Sequence, residues 1–251
     1  MPSPLATLHL DGAIATITLA APGALLDRAT SEALADAAHG AAESGARVVI
    51  LRGSGGDFGL GWSATALAEA DGPGAPLAVG IDALAAIPQP VIALIEGRAH
   101  SAGLEVALAC DIRIAAEGAT FALPDTVAGG MPRGGGTQRL PRAVGRAHAL
   151  RLLLTGEIID AVEARRIGLV SRVVPSSSVE ATAKALADTI ASRGPVATRF
   201  AKEAVHHGAE MTLDQALRYE ADLTFVLQST ADRAEGVQAF IEKREPHFTG
   251  E

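Results

Sequence analysis

Only one cysteine, Cys110, occurs in the 251 residues. No intrachain disulfide can form, and with Leu108 and Ala109 beside it the thiol reads as buried, which fits a reducing cytoplasm. Aromatic residues make up 3% of the chain. Stacking platforms for bases are therefore scarce, and the core must be packed from Ala, Leu, Val and Ile. The chain also lacks any run of Lys and Arg, and its formal net charge of −8 repels a phosphate backbone. No nucleic-acid partner is expected, although a small anionic ligand could still be held where donors cluster. Nowhere do eighteen apolar residues run together, and the start "MPSPLATLHLDG" has no basic stretch leading into an apolar one. Neither a membrane span nor a signal peptide is expected. None of the seven histidines makes an H-E-x-x-H pattern. His206 and His207 are adjacent and point about 100° apart on a helix, so no metal site is read.

What is present is an alternation of β-type and helical runs, with 48% hydrophobic content. The β-type runs are "ATITLA" at Ala15, "RVVILRG" at Arg47, "PVIALIEG" at Pro90, "DIRIAAE" at Asp111 and "GLVSRVV" at Gly168. Several are apolar throughout, as strands buried on both faces are. Between them lie helical candidates such as "TSEALADAAHGAAES" and "PLAVGIDALAAIP". This pattern predicts an α/β domain over residues 1–194. After "SRGP" the β-type runs stop, and residues 195–251 read as a helical region. There Thr212 and Gln215 form a capping-box pattern, and Leu213, Leu217, Ala221 and Phe225 form an i+4 ridge able to fold back on the core or dock on another subunit.

The stretch "GRAHSAGLEVALACD" passes from turn formers to helix formers and carries one carboxylate, Glu105. A first-turn glutamate ordinarily complements the helix dipole, for about 0.3–1 kcal/mol. The same geometry offers free N–H groups near Ser101 and Ala102 to a carbonyl oxygen that gains charge, at about 3 kcal/mol per donor. "AHSAG" also echoes a serine nucleophile elbow with His247 downstream. However, "PVIALIEG" ends at Gly97, four positions before Ser101, so the sharp strand-to-helix turn is not expected. The clusters "GSGGDFGLG" and "GGMPRGGG" lack a Walker lysine and read as tight turns.

Three stretches resemble the crotonase, or enoyl-CoA hydratase/isomerase, superfamily. They are "VVILRGSGGDFGLGWSATAL", "PVIALIEGRAHSAGLEVALACDIRIAAEGATFALPD" and "GGMPRGGGTQRLPRAVGRAHA"; the ending "GVQAFIEKREPHFTG" is similar as well. The resemblance implies a spiral of repeated ββα units with a C-terminal helical trimerisation region, assembled as a homotrimer or as a hexamer made of two trimers. It implies an acyl-CoA thioester substrate, with coenzyme A as part of that substrate and no separate cofactor. The backbone N–H groups of Trp62 and Ala102 would form the oxyanion hole. Glu105 would act mainly in water activation, and Asp125 mainly in delivering the α proton during hydration of a 2-enoyl-CoA. Double-bond isomerisation is the alternative, because Asp125 stands where hydratases carry glutamate; a non-catalytic acyl-CoA binder is a more distant one. Ala24, Leu26, Ser63, Ser101, Gly103, Pro124 and Lys243 fall at substrate-binding positions, with Arg244 a further cation for the CoA phosphates. Arg133, in "MPRGGG", reads as facing solvent.

Overall fold

The computed structural model describes residues 4–69 and 77–251. Pro76, which opens one predicted helical run, lies outside them. A main sheet has the order β1-β2-β4-β6-β8-β11, made of Ala6–Asp11, Ile14–Leu19, Val48–Gly53, Val91–Ile95, Ile112–Ala116 and Arg172–Val174. Only β1 runs antiparallel to its neighbour; every other pairing in this sheet is parallel. The remaining strands are β3 (Leu25–Leu26), β5 (Gly61–Trp62), β7 (Arg98–His100), β9 (Thr120–Ala122) and β10 (Ile159–Asp160). They form a three-stranded sheet, β10-β9-β7, and a β3-β5 pair.

The strands are apolar throughout because the main sheet is covered on both faces. Along β4 and β6, Val49, Leu51, Val91, Ala93 and Ile95 belong to the larger core, while Val48, Ile50, Ile92 and Leu94 enter a second one on the other face. The period-2 alternation of a strand thus feeds two cores. Each Val, Leu or Ile side chain among them contributes about 1.5–3 kcal/mol when fully buried.

The helices are α1 (Arg28–Glu43), α2 (Ala64–Glu69), α3 (Val79–Ala85), α4 (Ala102–Ala109), α5 (Gly136–Thr155), α6 (Ala161–Arg166) and α7 (Val179–Ala191), followed by α8 (Pro195–Gly208), α9 (Leu213–Leu227) and α10 (Ala231–Glu242). The second core is closed by Val179, Ala183 and Ala187 of α7. Strand–strand–helix units recur in chain order: β2-β3 before α1, β4-β5 before α2, β6-β7 before α4, and β8-β9 before α5. In the β6 and β8 units the first strand joins the main sheet and the second joins the small one, as the ββα spiral requires. Among the described residues no helix is long and apolar enough to cross a membrane.

Helix α8 is clasped to the core by Asp111, which accepts from Lys202 Nζ and His206 Nε2, both at 2.8 Å. The ridge on α9 does not fold back on this chain: Leu213, Leu217 and Phe225 are 75%, 56% and 77% exposed. The capping box at Thr212 is present as read, with Gln215 reciprocating. Thr212→Ala is expected to cost about 1 kcal/mol. In a chain of this size that lowers the thermal midpoint by about 2–4 °C, read by calorimetry.

Candidate active site

Two loops meet at the start of α4. Strand β5 lies beside β3, with Leu26 opposite Trp62. The pair is fastened by the Leu60 N–H to Ala24 O and the Ser63 N–H to Leu26 O, both 2.7 Å. The same loop is stitched to β7, where the His100 N–H donates to Gly59 O at 2.8 Å. The contact is backbone on backbone: a methyl added at Gly103 would lie 2.2 Å from the Gly59 carbonyl oxygen. A methyl on Gly61 would touch Ser101 Cβ at 3.3 Å. Trp62 is thus carried against the turn that precedes Ala102. Ala102 is the first residue of α4, so its N–H has no acceptor within the helix.

The turn at Ser101 corrects the sequence reading. Strand β7 fills the interval after "PVIALIEG" and ends directly before Ser101, and α4 begins directly after it. The sharp strand-to-helix turn is therefore present, with Ser101 at φ 47°, ψ −121°. A serine triad is not assembled around it. The Ser101 hydroxyl donates to Asp125 Oδ1 at 2.7 Å, while His100 Nε2 pairs with Thr120 Oγ1 at 3.0 Å. His247 stands exposed in the C-terminal segment, its N–H held by Glu235.

Glu105, in the first turn of α4, is fully buried. Its carboxylate is held by the start of α5 and the turn before it: Oε1 accepts from the Gly134 N–H at 2.7 Å and the Gly136 N–H at 2.8 Å. Gly136 opens the twenty-residue helix α5, so the carboxylate sits at the positive end of that helix. Burial pushes the Glu105 carboxyl above its ordinary value of 4.5, and the Asp125 charge adds to this. The N–H groups of Gly136, Gly134 and Arg133 act in the opposite sense. Asp125 lies in the 3-10 turn Pro124–Ala128, placed there by Pro124 at its first position. Glu105 Oε2 and Asp125 Oδ2 are both buried and both lack a protein partner, as does the indole Nε1 of Trp62.

The other sequence-predicted residues separate into groups. Leu26, Ser101 and Gly103 are buried at the meeting of the two loops. Ala24 lines a cleft of about 340 Å³ with Asp57 and Arg98. Ser63 lines the next one, about 470 Å³, with Arg28 and Thr65, and its Oγ caps α2 by accepting from the Ala66 N–H. Lys243 is exposed at the C-terminal end of α10, and no hydrogen bond or ion pair joins it to Glu105 or Asp125. Arg244 is committed to Glu235 and Glu242 within the chain. Arg133 has an exposed side chain. Residues the sequence reading missed are Gly134 and Gly136, whose N–H groups hold Glu105, and Gly59, on which Gly103 rests. The visible signal was "GGMPRGGG" standing directly before a helix: successive small residues with free N–H groups.

A family model described as enoyl-CoA hydratase/isomerase matches residues 9–251. The probable enoyl-CoA hydratase echA8 of Mycobacterium tuberculosis is 48% identical over 166 residues, 66% of this chain and 65% of that protein. The 2,3-dehydroadipyl-CoA hydratase of Escherichia coli is 44% identical over 167 residues, 66% of each chain. The chain therefore spans just under two thirds of the length of these curated relatives. The solved structure of an enoyl-CoA hydratase from Bacillus anthracis superposes with a TM-score of 0.90 at 37% identity, covering 98% of this chain and all of that one. The match of the family model over nearly the whole chain, with the ββα spiral observed in its structure, shows that the protein belongs to the enoyl-CoA hydratase/isomerase family.

Proposed function

We propose that the protein hydrates a 2-enoyl-CoA thioester to the 3-hydroxyacyl-CoA, with Glu105 and Asp125 as the catalytic acids. The observation that carries this reading is the pair of buried, partnerless oxygens, Glu105 Oε2 and Asp125 Oδ2, beside the start of α4. Two carboxyls that face one buried site can divide the work of taking a proton from water and supplying one to carbon. Glu105, made more basic by burial, takes a proton from water as the water oxygen bonds to the β carbon. Asp125 is placed to give a proton to the α carbon. The charge that develops on the thioester oxygen falls to the N–H groups of Ala102 and Trp62. A proton passing from Glu105 to Asp125 restores the starting state.

The substrate-binding roles of Ala24, Leu26, Ser63, Ser101, Gly103, Pro124 and Lys243 belong to the same proposal. The two clefts at Ala24 and Ser63 support a CoA portion laid across that edge. The exposed apolar ridge of α9 supports burial between copies in a homotrimer or hexamer. A cytoplasmic site of action accords with the single buried thiol.

The test is loss of the conjugated-enoyl absorbance of crotonyl-CoA on adding the protein. The expected product is 3-hydroxybutyryl-CoA, and Asp125→Asn is expected to slow its formation by about 10²-fold or more. Absence of turnover, with conversion of a 3-enoyl-CoA to its 2-enoyl isomer, would transfer the site to isomerisation, which the short reach of Asp125 also fits.

A further inference from the structure

Ser101 touches both acids, through different groups. Its carbonyl oxygen accepts the Glu105 N–H at 3.0 Å. Its hydroxyl donates to Asp125 Oδ1 at 2.7 Å. The residue is itself held, its N–H bonded to Ala122 O at 2.9 Å, and it is 8% exposed. Its backbone, at φ 47° and ψ −121°, is one that side chains with a Cβ rarely adopt and that glycine adopts freely. Serine at this position therefore costs the backbone something and supplies one thing a glycine cannot, a hydroxyl. Gly61, at φ 141°, packs against the same side chain: a methyl there would lie 3.3 Å from Ser101 Cβ and in ordinary contact with its Oγ.

We propose that Ser101 is a positioning residue for Asp125, its hydroxyl fixing Oδ1 so that Oδ2 is the working oxygen. The inference rests on the hydratase reading for its kinetic consequence but not for its structural one. An aspartate has two rotors and two equivalent oxygens, and only Oδ1 has a protein partner. Tying Oδ1 down settles which oxygen meets the substrate and from what direction. Glu105 is fixed by the same logic with different donors: Oε1 is taken by the Gly134 and Gly136 N–H groups, which leaves Oε2. Each acid thus has one oxygen held by the protein and one presented. For Glu105 the holding donors are backbone, and for Asp125 the donor is a single side chain that can be removed.

The experiment uses the full-length protein and two variants. Ser101→Gly removes the hydroxyl and relaxes the backbone; Ser101→Ala removes the hydroxyl and keeps the Cβ. Both are expected to lower kcat on crotonyl-CoA by about 10²-fold, the typical cost of a misplaced catalytic group, with KM within about twofold of wild type. The Ser101→Gly protein is expected to melt no lower than wild type, so its lost activity cannot be lost folding. Crystal structures of wild type and Ser101→Gly supply a readout independent of turnover: one Asp125 rotamer in the first, and a changed or multiple one in the second. A Ser101→Gly protein with wild-type kcat, or with Asp125 unmoved, overturns the proposal. Wild-type protein inert toward crotonyl-CoA, with Asp125 released in the variant, would leave the positioning role standing and remove the hydratase reading instead.

Discussion

Glu105→Gln is expected to abolish hydration and to make the protein more stable at neutral pH. The loss in kcat should be about 10²–10⁴-fold, since the amide cannot take a proton from water. The gain in stability follows from burial. The folded carboxyl has its pKa raised above the ordinary 4.5, so the folded state binds the proton more tightly than the unfolded chain does. The favourable contribution is complete below about 4.5 and is lost as pH rises through the raised folded value, because above it the protein carries a buried charge. Glutamine keeps the oxygen that accepts from Gly134 and Gly136 and carries no charge to bury. Thermal midpoints of the two proteins should coincide near pH 4 and separate toward pH 7, the variant melting higher. Each kcal/mol of difference amounts to about 2–4 °C. The acid limb of kcat/KM in the wild type should likewise lie above 4.5. A variant that melts below wild type at pH 7 would contradict this account of Glu105.

Features resting on local periodicity were legible in the sequence. The uninterrupted apolar runs at Val48 and Val91 became strands buried on both faces, and the capping box at Thr212 opens α9 as read. Strands β1, β3, β5, β7, β9 and β10 escaped notice, most of them because they are only two or three residues long. Strand β1 alternates exposed polar residues at a sheet edge, and β7 is three residues long with an arginine and a histidine in it. Missing β7 is what concealed the turn at Ser101. At the site, Glu105 could be singled out because a turn and a helix carry it. Its partners could not, because Gly134 and Gly136 lie 29 and 31 residues away and act through backbone N–H groups. A peptide donor leaves no mark on residue identity beyond the absence of bulk. The bond from Ser101 to Asp125, 24 residues on, depends likewise on two loops whose approach only the assembled spiral decides. The ridge on α9 was correctly read as apolar, but an i+4 pattern does not say which surface it meets.

Gly103→Ala is expected to damage both stability and catalysis through one displacement. The added methyl would stand 2.2 Å from the Gly59 oxygen, 2.5 Å from its carbonyl carbon and 2.6 Å from its Cα. A flexible side chain could swing aside; here the obstacle is backbone. Gly59 is further tied to β7 by its N–H to Arg98 O at 3.1 Å and by its own carbonyl accepting from His100. The strain can be relieved only by parting the Trp62 loop from the start of α4, which pulls apart the two N–H groups proposed to share one thioester oxygen. Overpacking in a core costs about 1–3 kcal/mol, and more where neither side can repack. A loss of about 3 kcal/mol would lower the midpoint by about 6–12 °C. In protein that still folds, kcat on crotonyl-CoA should fall by about 10²-fold for a separation near 1 Å. Gly118→Ala is the matched control, since a methyl there meets nothing within 4 Å, and it should stay within about 0.5 kcal/mol of wild type. Equal melting and equal turnover in the two alanine variants would show that the Gly59–Gly103 contact does not hold the oxyanion hole together.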